Sequence, residues 1–166
     1  PTLKQYPQLR EGNASCSAPV LDVHDYLITL GLSDDFRARL QPLALKVAYH
    51  DACHMIHGQG IKSQPRELLQ AIPGLSLREA TEAGVCCGSA GIYNLVQPEE
   101  AAALGRLKAA DLAATGADVV ASANIGCSLQ IRRHLSEKMK APRVNHPIEL
   151  LALSANLTMP ELDQGY

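Results

Sequence analysis

Two adjacent cysteines framed by glycines constrain this chain more than any other stretch: Gly84-Val85-Cys86-Cys87-Gly88-Ser89-Ala90-Gly91-Ile92-Tyr93-Asn94. Such a run suits neither a helix interior nor a strand, because glycine weakens both and frees the backbone to turn sharply. Two neighbouring thiols on a turn can reach one point in space, as a metal ion or a metal–sulfur cluster requires. Further cysteines stand at a distance on either side, Cys53 upstream and Cys127 downstream. The residues point to one four-thiolate site made of Cys53, Cys86, Cys87 and Cys127.

The rest of the pattern says how such scattered residues can meet. Leu43 to His50 reads as a first strand, followed at once by Asp51-Ala52-Cys53-His54 and a glycine-rich loop, His57-Gly58-Gln59-Gly60. Pro65 starts a helix, Arg66 to Ile72, which Pro73-Gly74 ends. Leu75 to Ala80 is a second strand leading toward the paired cysteines. Pro98, with Glu99 and Glu100 behind it, opens the longest helix, which runs to Thr115 before a capping Gly116. Ala117 to Ala123 is a third strand ending at Asn124-Ile125-Gly126-Cys127, and a helix from about Ser128 to Lys140 follows. Arg143 to His146 is a fourth strand, and Pro147 starts a last helix through Ser154.

Strands alternating with helices over crossover-length connections predict an α/β fold, a mostly parallel β-sheet flanked by helices on both faces. It is Rossmann-like in outline, without the GxGxxG or P-loop that would speak for a nucleotide. The carboxyl ends of parallel strands share one edge, where ligand crevices form. Cys53 follows the first strand, Cys86 and Cys87 the second and Cys127 the third, while His146 ends the fourth. Residues far apart in sequence are thereby expected at one rim.

The 166 residues fit one α/β domain over 43–155, a helical leader over 1–42 and a polar tail over 156–166. In the leader, Val20, Val23, Leu27 and Leu30 keep a helical period closed by Gly31, and Ser33-Asp34-Asp35 caps a short helix through Leu40. Five Tyr, one Phe and no Trp leave Ala, Leu and Val to fill the core. Fifteen basic against seventeen acidic residues, with no basic stripe, give no support to nucleic-acid binding. The apolar runs are too short to cross a bilayer and no signal-peptide pattern opens the chain, so a cytoplasmic protein is expected, reaching the inner membrane only through partners. The chain opens at Pro1, which fits a processed protein or a piece of a longer one. Five cysteines at these spacings do not resemble a secreted disulfide framework. Reduced thiols follow, four as ligands and Cys16 incidental.

Thiolates rather than thiols bind metals, so each cysteine needs help to ionise. Cys127 at a helix start, and Cys86 and Cys87 in a turn rich in free N–H groups, are expected to have it. Four thiolates suit tetrahedral zinc or an iron–sulfur cluster. The 32 residues between Cys53 and Cys86 and the 39 between Cys87 and Cys127 match neither a zinc ribbon nor a bacterial ferredoxin. Asp51, His54 and His146 are candidates to stand behind the thiolates and orient them by hydrogen bonds. His57, Glu99, Glu100, Arg132 and Arg133 read as solvated groups.

Four ordered motifs carry a resemblance: Asp51-Ala52-Cys53-His54, Cys86-Cys87-Gly88-Ser89-Ala90-Gly91, Asn124-Ile125-Gly126-Cys127 and His146-Pro147-Ile148-Glu149-Leu150-Leu151. Together they resemble the cysteine-rich CCG domain found in heterodisulfide reductase, in lactate-utilisation proteins and in the glycolate oxidase iron–sulfur subunit. Tyr49-His50-Asp51, Gln64-Pro65-Arg66-Glu67-Leu68-Leu69 and Gly91-Ile92-Tyr93-Asn94 are most similar to the glycolate oxidase type. The resemblance implies electron transfer from flavin-containing glycolate oxidase subunits, through a centre of the 4Fe-4S type or a zinc ion held by the four cysteines. It also implies a place as the C-terminal of two CCG repeats, with ferredoxin-like and first CCG regions preceding it, and a repeat face open to self-association. Relatives of the heterodisulfide reductase type end the pattern in Cys-x-x-Cys, whereas Cys127-Ser128-Leu129-Gln130 offers one thiol. Two other functions compete: a zinc-stabilised docking scaffold without redox activity, and a thiol enzyme using Cys86 or Cys87, which no His/Asp constellation supports.

Overall fold

The computed structural model describes residues 20–136 and 141–157. Cys16, most of the tail and the last turn expected before Lys140 lie outside those residues. The leader contains the two expected helices: α1, Val23–Leu30, capped by the Asp22 carboxylate, and α2, Asp34–Arg39, capped by the Ser33 hydroxyl. There follow β1 (Lys46–His50), α3 (Gln64–Gln70), β2 (Ser76–Arg78), α4 (Tyr93–Val96) and α5 (Pro98–Ala114). The chain continues with β3 (Val119–Ser122), α6 (Ile125–Leu135), β4 (Arg143–Asn145) and α7 (Pro147–Ser154). Among the described residues no helix is long and apolar enough to cross a membrane.

The four strands form one sheet in the order β2-β1-β3-β4, and every pair is parallel. The fold is therefore the α/β class expected. From β1 the chain steps outward to β2, then crosses back over β1 to β3 and on to β4. With one hand for all crossovers, this reversal puts α3 on one face and α5 and α6 on the other. The core divides accordingly. Val47, Tyr49, Val119 and Ala121 pack with Leu68 and Leu69 of α3 and Leu150 and Leu151 of α7. Ala48, Val120 and Val144 pack on the opposite face with Ala109 and Leu112 of α5 and Ile131 and Leu135 of α6. Strand side chains alternate between faces, so His50 and Ser122, two residues beyond Ala48 and Val120, point to the α5–α6 side.

Three local features differ from the sequence reading. The segment after β1 is not an open glycine loop but a π-helical turn, His54–Gly58. Burial of Met55 and Ile61 winds it onto the core, and the Ile61 N–H bonds the Met55 carbonyl at 2.9 Å. Helix α6 begins at Ile125, because Asn124 acts as N-cap and accepts from the Cys127 N–H at 3.2 Å. Cys127 thus sits inside the first turn rather than ahead of it. A short helix, α4, occupies the end of the glycine-framed stretch.

The two half-cores carry comparable weight. Leu112 and Leu69, one on each face, are both fully buried. Leu112→Ala and Leu69→Ala should each lower the unfolding free energy by about 2–5 kcal/mol, measured by chemical denaturation.

Candidate metal centre

The site lies where the strand order reverses, between the carboxyl ends of β1 and β3. Their register pairs His50 with Ser122, so the segments leaving both strands start side by side. This is the topological switch point of a doubly wound sheet, where the loops diverge and leave a crevice. Cys127 reaches it from the first turn of α6 and Cys87 from the loop between β2 and α4. Cys53, on the turn after β1, is exposed, and neither it nor Cys86 joins their close group.

That loop is held against the two helices of its face by glycines and by charge. Gly88 has φ +83°, and a Cβ there would overlap the Ala101 carbonyl of α5. Gly126, in the first turn of α6, leaves room for the Ser89 hydroxyl, which would stand 2.7 Å from a Cβ. These two close approaches bring the paired cysteines against α5 and α6. Lys108 of α5, 1% exposed, donates to the Glu82 carbonyl and, at 3.4 Å, to the Ala83 carbonyl. Asp111, one turn on, accepts from the N–H groups of Thr81 and Glu82 at 3.0 and 3.1 Å. Burial pulls the Lys108 ammonium below the usual lysine range, and the Asp111 and Cys87 charges oppose that shift.

The four cysteines of the described residues are free thiols and fall into two interacting pairs. Cys87 and Cys127 are buried, with their sulfurs within 4.8 Å of each other. The Cys127 thiol beside it, with the Ser89 N–H, holds Cys87 below the usual thiol range. Cys127 is driven up, first by Cys87 and then by burial, opposite to the ionisation expected from its helix start. Cys86 interacts with the exposed Cys53, and its sulfur accepts from the Gly88 N–H at 3.4 Å. Burial raises the Cys86 thiol despite that bond.

His50 joins the buried pair, and nothing in the sequence reading singled it out. One ring nitrogen and the sulfurs of Cys87 and Cys127 all lie within 4.8 Å of one another. Both His50 ring nitrogens are buried without a hydrogen-bond partner, as are the Ser122 hydroxyl and His54 Nε2. Unpaired buried polar atoms cost about 1–3 kcal/mol each, so unpaired His50 nitrogens beside the Cys87 and Cys127 thiols fit a centre that binds metal. Soft sulfur and imidazole donors suit zinc or iron–sulfur chemistry. The sequence signal for His50 was its place on the Ala48 face at the end of a strand.

The other candidate residues are placed as follows. Asp51 gives both carboxylate oxygens to the Arg66 guanidinium, at 2.8 and 2.6 Å. Arg66 also reaches Glu79 at 2.9 and 2.8 Å and lies over the Tyr49 ring at 4.8 Å. This fork, which holds the Arg66 pKa above its ordinary value, fixes the end of β1 two residues before Cys53. His54 lies beside Cys53 in the π-helical turn. His146 caps α7: its Nδ1 accepts from the Ile148 N–H at 3.2 Å, and Glu149 completes a capping box. Its ring packs on His24, with centroids 5.1 Å apart.

A family profile described as the CCG cysteine-rich domain matches residues 47–132. The chain is 36% identical over 136 residues to a fumarate reductase (CoM/CoB) subunit of Methanothermobacter marburgensis, covering 81% of this chain and 27% of that protein. It is 35% identical over 144 residues to a "Probable glycolate oxidase iron-sulfur subunit" of Bacillus subtilis, covering 84% and 32%. To the lactate utilization protein A of Oceanobacillus iheyensis it is 29% identical over 160 residues, covering 90% and 63%. The chain thus spans less than two thirds of the length of these curated relatives.

Removing the clamp under the paired cysteines should loosen them. Asp111→Ala leaves two backbone N–H groups without their acceptor and should cost about 1–3 kcal/mol. Faster amide exchange at Thr81 and Glu82 is the local readout. The α7 cap gives a pH dependence. Burial, with the His24 ring beside it, lowers the His146 pKa, and a proton on Nδ1 would abolish the cap. The unfolded chain therefore takes up the proton first, so stability holds above about pH 6.5 and falls as the pH drops below it. His146→Asn keeps a capping oxygen without titrating and should flatten that slope between about pH 6.5 and 5, followed by thermal melts across pH.

Proposed function

The chain belongs to the CCG cysteine-rich domain family, and from that membership we propose that it is an iron–sulfur electron-transfer domain of a glycolate-oxidase-type 2-hydroxy-acid oxidoreductase. In this reading Cys53, Cys86, Cys87 and Cys127 hold a cluster of the 4Fe-4S type, and the domain stands where the C-terminal CCG repeat of the iron–sulfur subunit stands. The observation that supports it is the meeting of the Cys87 and Cys127 thiols, from two separate segments, with the His50 imidazole at the switch point of the sheet, where the ring nitrogens and the Ser122 hydroxyl are left unpaired.

The bound centre would supply one-electron acceptance and release. The chain's own residues prepare the place for it. The Gly88 and Ser89 N–H groups aim at the Cys86 and Cys87 sulfurs and stabilise thiolate charge there. Lys108 puts a buried positive charge on the same side and fixes the backbone that carries both cysteines. The Arg66 fork fixes the strand end that carries Cys53. Chemistry on the 2-hydroxy acid belongs to a flavin-containing partner, so this domain needs no substrate pocket of its own. The greater length of the relatives supports ferredoxin-like and first CCG regions joined to this domain. The assembly would be cytoplasmic, reaching the inner membrane through partners, and an exposed repeat face would favour self-association of the domain alone.

A second reading has one observation in its favour. His50, Cys87 and Cys127 already give three buried donors, as many protein ligands as the smallest zinc sites use. Zinc there would make the domain a docking scaffold without redox function. Anaerobic purification followed by metal analysis separates the two. The iron–sulfur reading expects a brown protein whose visible absorption bleaches on reduction, with iron and sulfide bound. Cys53→Ser, Cys86→Ser, Cys87→Ser and Cys127→Ser should each lose most of the iron, and Cys16→Ser should keep it. A colourless protein with one zinc per chain favours the scaffold, and absence of both metals refutes both readings.

A further inference from the structure

We propose that His50 is a nitrogen ligand of this metal centre, making it a mixed thiolate–imidazole site. The proposal rests on the reading of the site as a metal centre and adds a donor that the four-cysteine pattern does not contain. Three observations carry it. A His50 ring nitrogen shares a 4.8 Å neighbourhood with the sulfurs of Cys87 and Cys127. That spacing suits donors around one metal, since two ligands at about 2.0–2.3 Å from a tetrahedral ion stand roughly 3.5 Å apart, and small shifts close the difference. Next, His50 is 2% exposed, yet neither ring nitrogen has a hydrogen-bond partner. An imidazole that merely filled the core would leave a donor and an acceptor unsatisfied, an arrangement folded proteins avoid. Finally, the Ser122 hydroxyl, next to His50 in the β1–β3 register, is also buried without a partner. A ligating histidine usually gives its second ring N–H to a nearby oxygen, and Ser122 is the side-chain oxygen that the register sets beside it.

Position and depth both favour His50 over the other candidate histidines. His50 is the last residue of β1 and is paired with Ser122 of β3, so its backbone is fixed by the sheet. His146 is committed through Nδ1 to capping α7. His54 lies on the turn beside Cys53, at the outer, exposed end of the thiol set.

The test uses the whole chain, loaded anaerobically with iron and sulfide or, in a parallel sample, with zinc, in wild type, His50→Ala and His50→Gln. In the iron-loaded wild type, pulsed EPR of the paramagnetic state should show a directly bound nitrogen that changes isotope when only histidine is labelled with ¹⁵N. In the zinc-loaded wild type, X-ray absorption should show nitrogen at about 2.0–2.1 Å beside sulfur at about 2.3 Å. Both variants should lose that nitrogen, and zinc affinity by chelator competition should fall by at least ~10-fold, the scale already seen when only a ligand's hydrogen-bond partner is changed. Because the wild-type spectra need no variant, a variant that fails to fold does not blunt the test. A sulfur-only shell in the loaded wild type, or a nitrogen that survives in folded His50→Gln, overturns the ligand role and leaves the metal centre standing. A wild type that binds neither metal overturns both.

Discussion

The parallel pairing of Lys46–His50 with Val119–Ser122 is the constraint on which the rest of this molecule depends. It sets two strand ends side by side at the one place where the chain's path across the sheet reverses. Every thiol at the centre arrives by a segment that leaves the sheet at that edge. A slip of one residue between the two strands would leave His50 and Ser122 on opposite faces of the sheet. It would also carry Cys53 and Cys127 out of register with each other. The fully buried Val47, Ala48, Val120 and Ala121 oppose such a slip, because each fills a half-core that its neighbours in sequence do not share. Packing on both faces thus fixes the geometry of a site that contains little of the packing itself.

Charge does for the loops what packing does for the strands. A segment as rich in glycine as 84–91 has no conformation of its own, and its preference for one shape must come from what it touches. Lys108 and Asp111, one turn apart on α5, take hold of carbonyls and N–H groups of the same short segment. They bond backbone on one side and each other, at 3.8 Å, on the other. The ammonium is tolerated in the interior because it has oxygen partners and a carboxylate nearby. On the far face, Arg66 shares its fork between the buried Asp51 and the more exposed Glu79. Truncating one member of either arrangement leaves the others buried and unpaired, so these charges specify position more than they add net stability.

Much of this was legible in the sequence, for local reasons. Prolines at the starts of α3, α5 and α7 and glycines such as Gly31 and Gly116 mark element ends through their own backbone chemistry. The alternation of strands and helices gave the class of sheet, and the class of sheet gave the rim at which Cys87 and Cys127 meet. What stayed hidden depends on residues remote in the chain. Lys108 and Asp111 look like solvated charges on a long helix until the segment after β2 folds over them. His50 looks like the polar end of a strand until β3 and the paired cysteines close around it. Asn124 pulled the start of α6 forward past Cys127, and Met55 and Ile61 wound up a segment whose glycines announced a loop. The opposite shifts of the Cys87 and Cys127 thiols belong to a pair forty residues apart, and neither position shows them alone.

The depth of the donors gives the centre a direction. His50 and Cys87 are 2% exposed and Cys127 is 6%, whereas Cys86 is partly open and Cys53 is exposed. His50 is held by a strand end and Cys127 by a helix start, while Cys87 is held by burial on the loop that also carries Cys86. The Cys127 thiol and the Ser89 N–H pull the Cys87 thiol below its ordinary range, in a low-dielectric interior where such neighbours count for more than they would in water. Solvent meets the cysteines first at Cys53, while the close group of His50, Cys87 and Cys127 lies beneath it, where the strand order reverses in the middle of the sheet.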